Sequence, residues 1–337
     1  TNLSISVEVE NSQLCPRYSG VSISGVKIEK SPEWLENRLK SLGIEPKNNI
    51  VDITNFVLHE TGQPLHAFDA EKIKGNKVVV KTLNKKTKFT TLDEVERDIS
   101  AEDLMICNDK EAMCLAGVFG GLDSGVSDNT TSIFLESAYF NPVSVRKTAK
   151  RHTLSTDSSF RFERGCDPNM TIYTLKRATL LIQEIAGGKI SSEIVDVYPK
   201  EIKHFEVELT YKKLDSLIGE KIDRKEVKNI LTDLEIEVVL ETENGLSLKV
   251  PPFRADVQRE VDVIEEILRI YGFNTISIPT KLNTSTSYSD EVKPETLRNT
   301  ISDLLSSNGF FEIMNNSLTK ESYTKLIPEL EVEQNIK

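Results

Sequence analysis

Residues 132–142, SIFLESAYFNP, set one carboxylate, Glu136, in the middle of an apolar run that ends on Asn-Pro. The apolar residues flanking the acid predict a strand over 131–138, and Asn141-Pro142 is a helix start of the N-cap-then-proline kind. An acid inside such a strand lies on a solvent face or is buried with a partner, because an unpaired buried carboxylate is costly. The sequence leaves both readings open. In a pocket, a buried carboxylate recognises a hydroxyl and disfavours a ligand that lacks one.

Working outward, residues 20–30 (GVSISGVKIEK) alternate at period two and read as a strand. Ser31-Pro32 then opens a helix with Leu35, Leu39 and Leu42 on one face, stopped by Gly43. Further strands are expected over 76–83 and 86–92. Asp167-Pro168 repeats the helix-start signal, and Ile172, Leu175, Leu181, Ile182 and Ile185 follow before Gly187-Gly188. Strands and helices mixed over about 1–200 predict an α+β fold within a multidomain chain. A second unit is expected over 203–280: strand FEVELT (205–210), a short helix, and a helix capped by Asp223 with Glu226 three residues on. A hairpin EIEVVLE-TENG-LSLKV and a charged helix from about Gln258 to Tyr271 complete it. Residues 281–292 read as a linker, and 290–337 as the truncated start of a further domain.

With 337 residues, two or three domains are expected. The 42 Lys and Arg against 53 Asp and Glu give a net charge of -11, so a generally basic nucleic-acid binder is excluded and any such contact must be a local patch. Cys15, Cys107, Cys114 and Cys166 show no C-x-x-C pairing, which speaks against zinc and for a reducing cytoplasm. No apolar run approaches the ~20 residues that span a bilayer, so no membrane is expected. The chain begins at Thr1 rather than Met and reads as an excised piece.

Four segments hold candidate chemistry. VDITNFVLHETGQPLHAFD (51–69) crowds Thr54, Asn55, His66 and Asp69 into an apolar stretch, with Gly62-Gln63-Pro64 turning the chain where it leaves a helix, just before His66. The alternative is a His and an Asp that merely tie down that turn. Residues 113–140 carry Gly117, Gly120, Gly121 and Gly125, which permit close backbone approach, but neither G-K-[ST] nor G-x-G-x-x-G. Residues 145–164 carry Arg146, Lys147, Lys150, Arg151, Arg161 and Arg164 against Asp157 and Glu163, a local +4 that suits a phosphate backbone or a solvated helix face. In 254–266, Asp262, Glu265 and Glu266 share a helix face preceded by Asp256. Either they converge on magnesium or calcium, or they form an acidic face relieved by Arg254, Arg259 and Arg269.

DITNFVLHETGQPLHAFD (52–69), AGVFGGLDSGVSDNT (116–130), FLESAYFNPVSVRKTAKRHTLSTDSSFRFERGCDP (134–168) and FRADVQREVDVIEEILRIYGF (253–273), in this order and spacing, strongly resemble the beta subunits of bacterial phenylalanine–tRNA ligases. The resemblance covers nearly the whole chain from about Gln13. It implies an editing domain over 1–200 that hydrolyses tyrosine wrongly attached to tRNA-Phe, then a small domain similar to DNA-binding modules, then the start of a synthetase-like core. It further implies a heterotetramer of two small (alpha) and two large subunits that charges tRNA-Phe with phenylalanine using ATP. Carried over by residue, the editing pocket is Thr54, Asn55, His66, Glu136, Thr156 and Ser158, lined by Gly117. Glu136 would accept the tyrosine phenol's hydrogen bond, His66 would help place the ester and water, and Thr156 would shape the wall. Backbone N–H groups from Gly117 to Gly121 would stabilise an oxyanion. Asp256, Asp262, Glu265 and Glu266 match positions that bind Mg2+ shared with the small subunit.

Two departures bear on editing. Glu45, in GIEPKNN, stands where members of the family often have arginine, so a cationic contact to the tRNA end is lost or moved to Lys47. Ser158 stands where many have alanine and adds a hydroxyl. The competing reading is therefore a non-catalytic scaffold for the small subunit and tRNA with weakened editing.

Overall fold

A computed structural model of the chain describes residues 2–83, 87–278, 280–281, 284–285, 293–318, 320 and 322–323. It divides the chain into two units, Thr1–Ser277 and Ile278–Lys337. The first begins with strands β1 (Ser6–Val9) and β2 (Arg17–Val26) and helices α1 (Glu33–Ser41) and α2 (Asn49–Thr61). Strands β3 (Leu65–Asp69), β4 (Lys77–Thr82), β5 (Thr87–Thr90), β6 (Glu96–Ile99) and β7 (Leu104–Cys107) follow. Then come β8 (Ala112–Leu115), β9 (Phe119–Gly120) and β10 (Ser132–Tyr139), and helices α3 (Pro142–His152), α4 (Asp157–Phe162) and α5 (Met170–Ile185). β11 (Gly187–Ile190) and β12 (Val195–Val197) precede β13 (Phe205–Thr210), α6 (Tyr211–Ile218), α7 (Arg224–Asp233), β14 (Glu237–Thr242), β15 (Gly245–Val250) and α8 (Glu260–Tyr271).

The expected α+β class holds. One sheet runs β11-β2-β10-β3, all antiparallel, with β12 also on β2; a second runs β1-β4-β7-β8-β9. Alternation along β10 sends Ile133 and Leu135 into one core with α1, α2 and α5, and Phe134 and Ala138 into another with the second sheet. Both faces of this strand are therefore covered, and Glu136 has no solvent face to occupy. The space over Gly20 admits no side chain: a Cβ there would lie 2.2 Å from Cζ of Phe134.

A third, three-stranded sheet, β13-β15-β14, carries its own apolar cluster between Val207 and Ile267. Its hairpin turns where expected, with Thr242 opposite Gly245. Asp223 caps α7 by accepting the N–H groups of Lys225 (2.8 Å) and Glu226 (3.2 Å). Replacing it with alanine is expected to cost about 1 kcal/mol, read as a lower urea midpoint at unchanged slope; an unmoved midpoint would remove the cap from this account.

Several boundaries differ from the sequence reading. The helix expected at Asp167-Pro168 starts at Met170, because Asp167 spends its carboxylate on the N–H of Asn169 (2.9 Å) in the preceding turn. The helix expected from Gln258 starts at Glu260, since Asp262 accepts the N–H groups of Gln258 and Arg259 and caps the first turn from inside it. β1, unforeseen, pairs in parallel with β4. In the second unit, α9 (Pro294–Ser307) forms with Pro294 in its first turn, and no strand follows among the described residues. The expected linker over 281–292 lies largely outside the described residues, as does the end of the 290–337 segment.

Candidate functional site

Strand register, rather than a loop, brings the principal residues together. On β10, Glu136 stands opposite His66 of β3 on one side and Gly20 of β2 on the other. Residues directly opposite in an antiparallel pair share a face, so Glu136 and His66 project to the same side. This corrects the expectation that His66 sits where a helix ends: Gly62, at φ +75°, closes α2, and the chain re-enters a sheet before His66.

Glu136 and His66 line a cavity of about 510 Å³ together with Thr54, Asn55 and Leu58 of α2. Gly117, Val118 and Gly120 form another wall, and Thr156 and Ser158 at the start of α4 a third. Lys47 stands exposed at the rim. Its backbone is fixed by Asp52, which is wholly buried and accepts the Lys47 N–H (2.8 Å) and the Ser31 hydroxyl (2.5 Å).

Glu136 is 5% exposed, and its Oε2 accepts a hydrogen bond from the Tyr18 hydroxyl (2.9 Å). Burial pushes the carboxyl up to about 8, against which the Tyr18 hydrogen bond pulls it down. In the empty cavity at neutral pH the acid is thus mainly protonated, which modifies the expectation of a standing carboxylate. Oε1 takes no hydrogen bond among the described residues. Burial alone drives His66 the other way, to about 4, so its ring is neutral at pH 7. The ring meets Phe68 edge-on at 4.4 Å, and its Nε2 is enclosed with no partner among the described residues.

Thr156 is more committed than a wall residue. Its Oγ1 accepts the Ser159 N–H (3.0 Å) and donates to the Val118 carbonyl (2.8 Å), tying the α4 cap to the glycine loop. Gly117 has φ +69°, and a Cβ there would lie 2.9 Å from the Phe140 ring. The Thr54 hydroxyl is spent on the Val51 carbonyl (2.8 Å), whereas the Asn55 amide and Ser158 hydroxyl have no partner in the described chain. The expected oxyanion donors are fewer than supposed. Val118 N–H goes to the Leu115 carbonyl and Gly121 N–H to that of Met113.

Tyr18 and Cys114, both at the carboxyl, escaped the sequence reading. Tyr18 lay in view: it is two residues before Gly20, on the same face of the strand whose alternation begins earlier than residue 20.

The basic segment separates into two kinds of cation. Arg146, Lys147 and Lys150 of α3 are exposed and unpaired among the described residues. Arg151 binds Glu102 (2.5 Å) and the fully buried Asp103, which also takes the Thr148 hydroxyl (2.9 Å). It anchors the helix and is withdrawn from the phosphate-facing set.

The four carboxylates of 254–266 do not converge. Asp262 is held by Arg259 (2.7 Å) and caps α8, Glu266 takes Arg254 and Arg269 (3.1 and 2.8 Å), and Asp256 and Glu265 point to solvent. No group of three or more His, Cys, Asp or Glu among the described residues is placed to hold a metal. The acidic face relieved by arginines is the reading that this geometry matches, and in this chain by itself the donor set does not fit magnesium.

A larger cavity, about 690 Å³, is lined by Lys72, Lys74, Lys81, Lys88 and Lys110 and of the candidate residues holds Gly121 alone. The smaller one is the better site because buried ionisable groups with displaced pKa values and unpartnered polar atoms converge there. No helix among the described residues is long and apolar enough to cross a membrane.

Residues 14–187 match the B3/4 domain family, and residues 207–273 the tRNA synthetase B5 domain. The phenylalanine–tRNA ligase beta subunit of Bacteroides thetaiotaomicron is 58% identical over 323 residues, which cover 96% of this chain and 39% of that protein. That of Porphyromonas gingivalis is 51% identical over 321 residues, 95% of this chain and 39% of that one. The chain thus spans about two-fifths of the length of these curated relatives. Among solved structures, an N-terminal fragment of the phenylalanyl-tRNA synthetase beta subunit from Pyrococcus horikoshii aligns over 79% of this chain and 74% of its own, at 16% identity and a TM-score of 0.38.

Proposed function

Because the chain belongs to the B3/4 domain family, we propose that the cavity beside Glu136 is an editing site that hydrolyses tyrosine wrongly esterified to tRNA-Phe. In this reading the chain is part of a phenylalanine–tRNA ligase beta subunit: an editing domain over 1–200, a small domain over 203–280 and the start of a synthetase-like core from 290. The whole protein, two alpha and two beta subunits in the cytoplasm, charges tRNA-Phe with phenylalanine. ATP and Mg2+ belong to that charging reaction, and no step here runs through either.

The carrying observation is the buried acid that lines the cavity with one oxygen held by Tyr18 and the other without a hydrogen bond among the described residues. A tyrosine phenol donates to Oε1 more strongly when the carboxyl is ionised than to the carbonyl oxygen of the neutral acid. Ionising a group that titrates near 8 costs about 1.4 kcal/mol at pH 7. A hydrogen bond to a charged group returns roughly 1.5–3 kcal/mol. Phenylalanine gives nothing in return, so the acid keeps its proton and the ring gains no anchor. At the ester end, neutral His66 and the Asn55 amide, both lining the cavity, would orient water. Water oxygen attacks the ester carbonyl, and the tRNA 3′ oxygen leaves with a proton. The Gly117 N–H, which has no backbone partner among the described residues, would support the oxyanion.

The direct test is deacylation by the complete protein. Tyr-tRNA-Phe should be cleared and Phe-tRNA-Phe spared; equal rates for both would remove the reading. The exposed cations of α3 supply the phosphate contacts. Arg146→Ala with Lys150→Ala should weaken tRNA binding several-fold at low salt and reduce the slope of log K against log salt by about 1.5, as two lost phosphate contacts require. An unaltered slope would return α3 to a solvated face.

A further inference from the structure

We propose that Tyr18 is a positioning residue of this site: its hydroxyl holds Oε2 of Glu136 and so leaves Oε1 as the single carboxyl oxygen presented to a ligand hydroxyl. The inference rests on the editing reading and goes beyond it by assigning the selectivity to a pair rather than to one acid.

Three observations converge. Tyr18 is wholly buried, and its hydroxyl donates to Oε2 at 2.9 Å across 118 residues of sequence. The two side chains meet because the residue opposite Glu136 on β2 is Gly20, where the Phe134 ring fills the space a Cβ would take. Among the described residues no other donor reaches the carboxyl: the groups facing it are Tyr18 and Cys15 from the β2 side, His66 on β3 and Cys114 on β8. Cys114 turns its Sγ to the Leu115 and Phe119 carbonyls, and Cys15 its Sγ to the Arg17 carbonyl. Without the Tyr18 hydroxyl, the carboxyl would be free to rotate and either oxygen could face the cavity. The same hydrogen bond favours the ionised form that accepts from a phenol.

Tyr18→Phe in the complete protein keeps the ring and removes only the hydroxyl. At pH 7.5 the KM for Tyr-tRNA-Phe should rise about tenfold, the size of one hydrogen bond to an ionised group. The kcat should stay within a factor of two, and the fall of KM with pH should move to higher pH. Hydrolysis of Phe-tRNA-Phe should not change. In parallel, the Glu136 carboxyl, located in 13C-glutamate spectra by its absence in Glu136→Gln, should titrate at higher pH in the Tyr18→Phe protein. An unmoved titration and an unmoved KM overturn the proposal. A loss of kcat and KM alike, with an unmoved titration, also overturns it, since that marks a structural role. If the titration moves but neither form clears Tyr-tRNA-Phe, the pairing stands and the editing reading is the part that fails.

Discussion

Glu136→Ala should lower kcat/KM for Tyr-tRNA-Phe by about 10²-fold while that for Phe-tRNA-Phe rises. The two directions follow from the same removal. The tyrosine phenol loses its only charge-assisted partner, which accounts for roughly 1.5–3 kcal/mol, or about 10- to 150-fold. A phenylalanine ring, by contrast, no longer has to sit against a polar group that it cannot satisfy. Sites built to bind a hydroxyl reject the analogue lacking it far more strongly than apolar pockets reject an added one; removing the acid therefore erodes the stronger of these two discriminations. A merely structural Glu136 predicts something different. Buried at 5% exposure and bonded to a tyrosine on the neighbouring strand, its loss would then depress both reactions together through misfolding. Deacylation rates for both esters, measured with the substituted complete protein, separate the two. A common fall, or an unchanged ratio, ends the role assigned to the acid.

The pieces of this site that were legible in sequence are those that depend on local period. The strand around Glu136, the Asn141 start of α3, which accepts the Val143 and Ser144 N–H groups, and the Asp223 cap all follow from neighbours within four residues. What the acid touches was not legible, because Tyr18 and His66 reach it through strand pairing across 118 and 70 positions, and register is a property of the whole sheet. For the same reason the acidic run of 254–266 invited a metal reading. Helical spacing places carboxylates on one face but does not reveal that Arg254 comes back from outside the helix to Glu266. The strand at Ser6–Val9 is a different kind of omission: Ile5, Val7 and Val9 alternate visibly, yet its parallel partner β4 begins about seventy residues later.

Stability should carry the signature of the same acid. Its ordinary value is 4.5 and its value in the fold is about 8, so between these limits the folded chain holds a proton that the unfolded chain has released. The sign follows directly: the contribution is fully present below pH 4.5 and is lost as pH rises through about 8. At 1.36 kcal/mol per unit the whole window is worth about 5 kcal/mol, and water entering beside the ionised group reduces this, so about 3 kcal/mol is the working expectation. His66 runs the opposite way. Held at about 4 against an ordinary 6.5, it withdraws stability as pH falls through that interval. Glu136→Gln removes the first titration, leaves the second in place and keeps an oxygen for the Tyr18 hydroxyl. The substituted protein should therefore match the parent in urea unfolding at pH 4.5 and exceed it by about 3 kcal/mol at pH 8.5. His66 is common to both proteins, so the difference isolates the acid. A constant difference at the two pH values would mean that the carboxyl does not titrate between them. The open cavity would then contain an ordinary carboxylate, and the energetic argument for phenol recognition would lose its starting point.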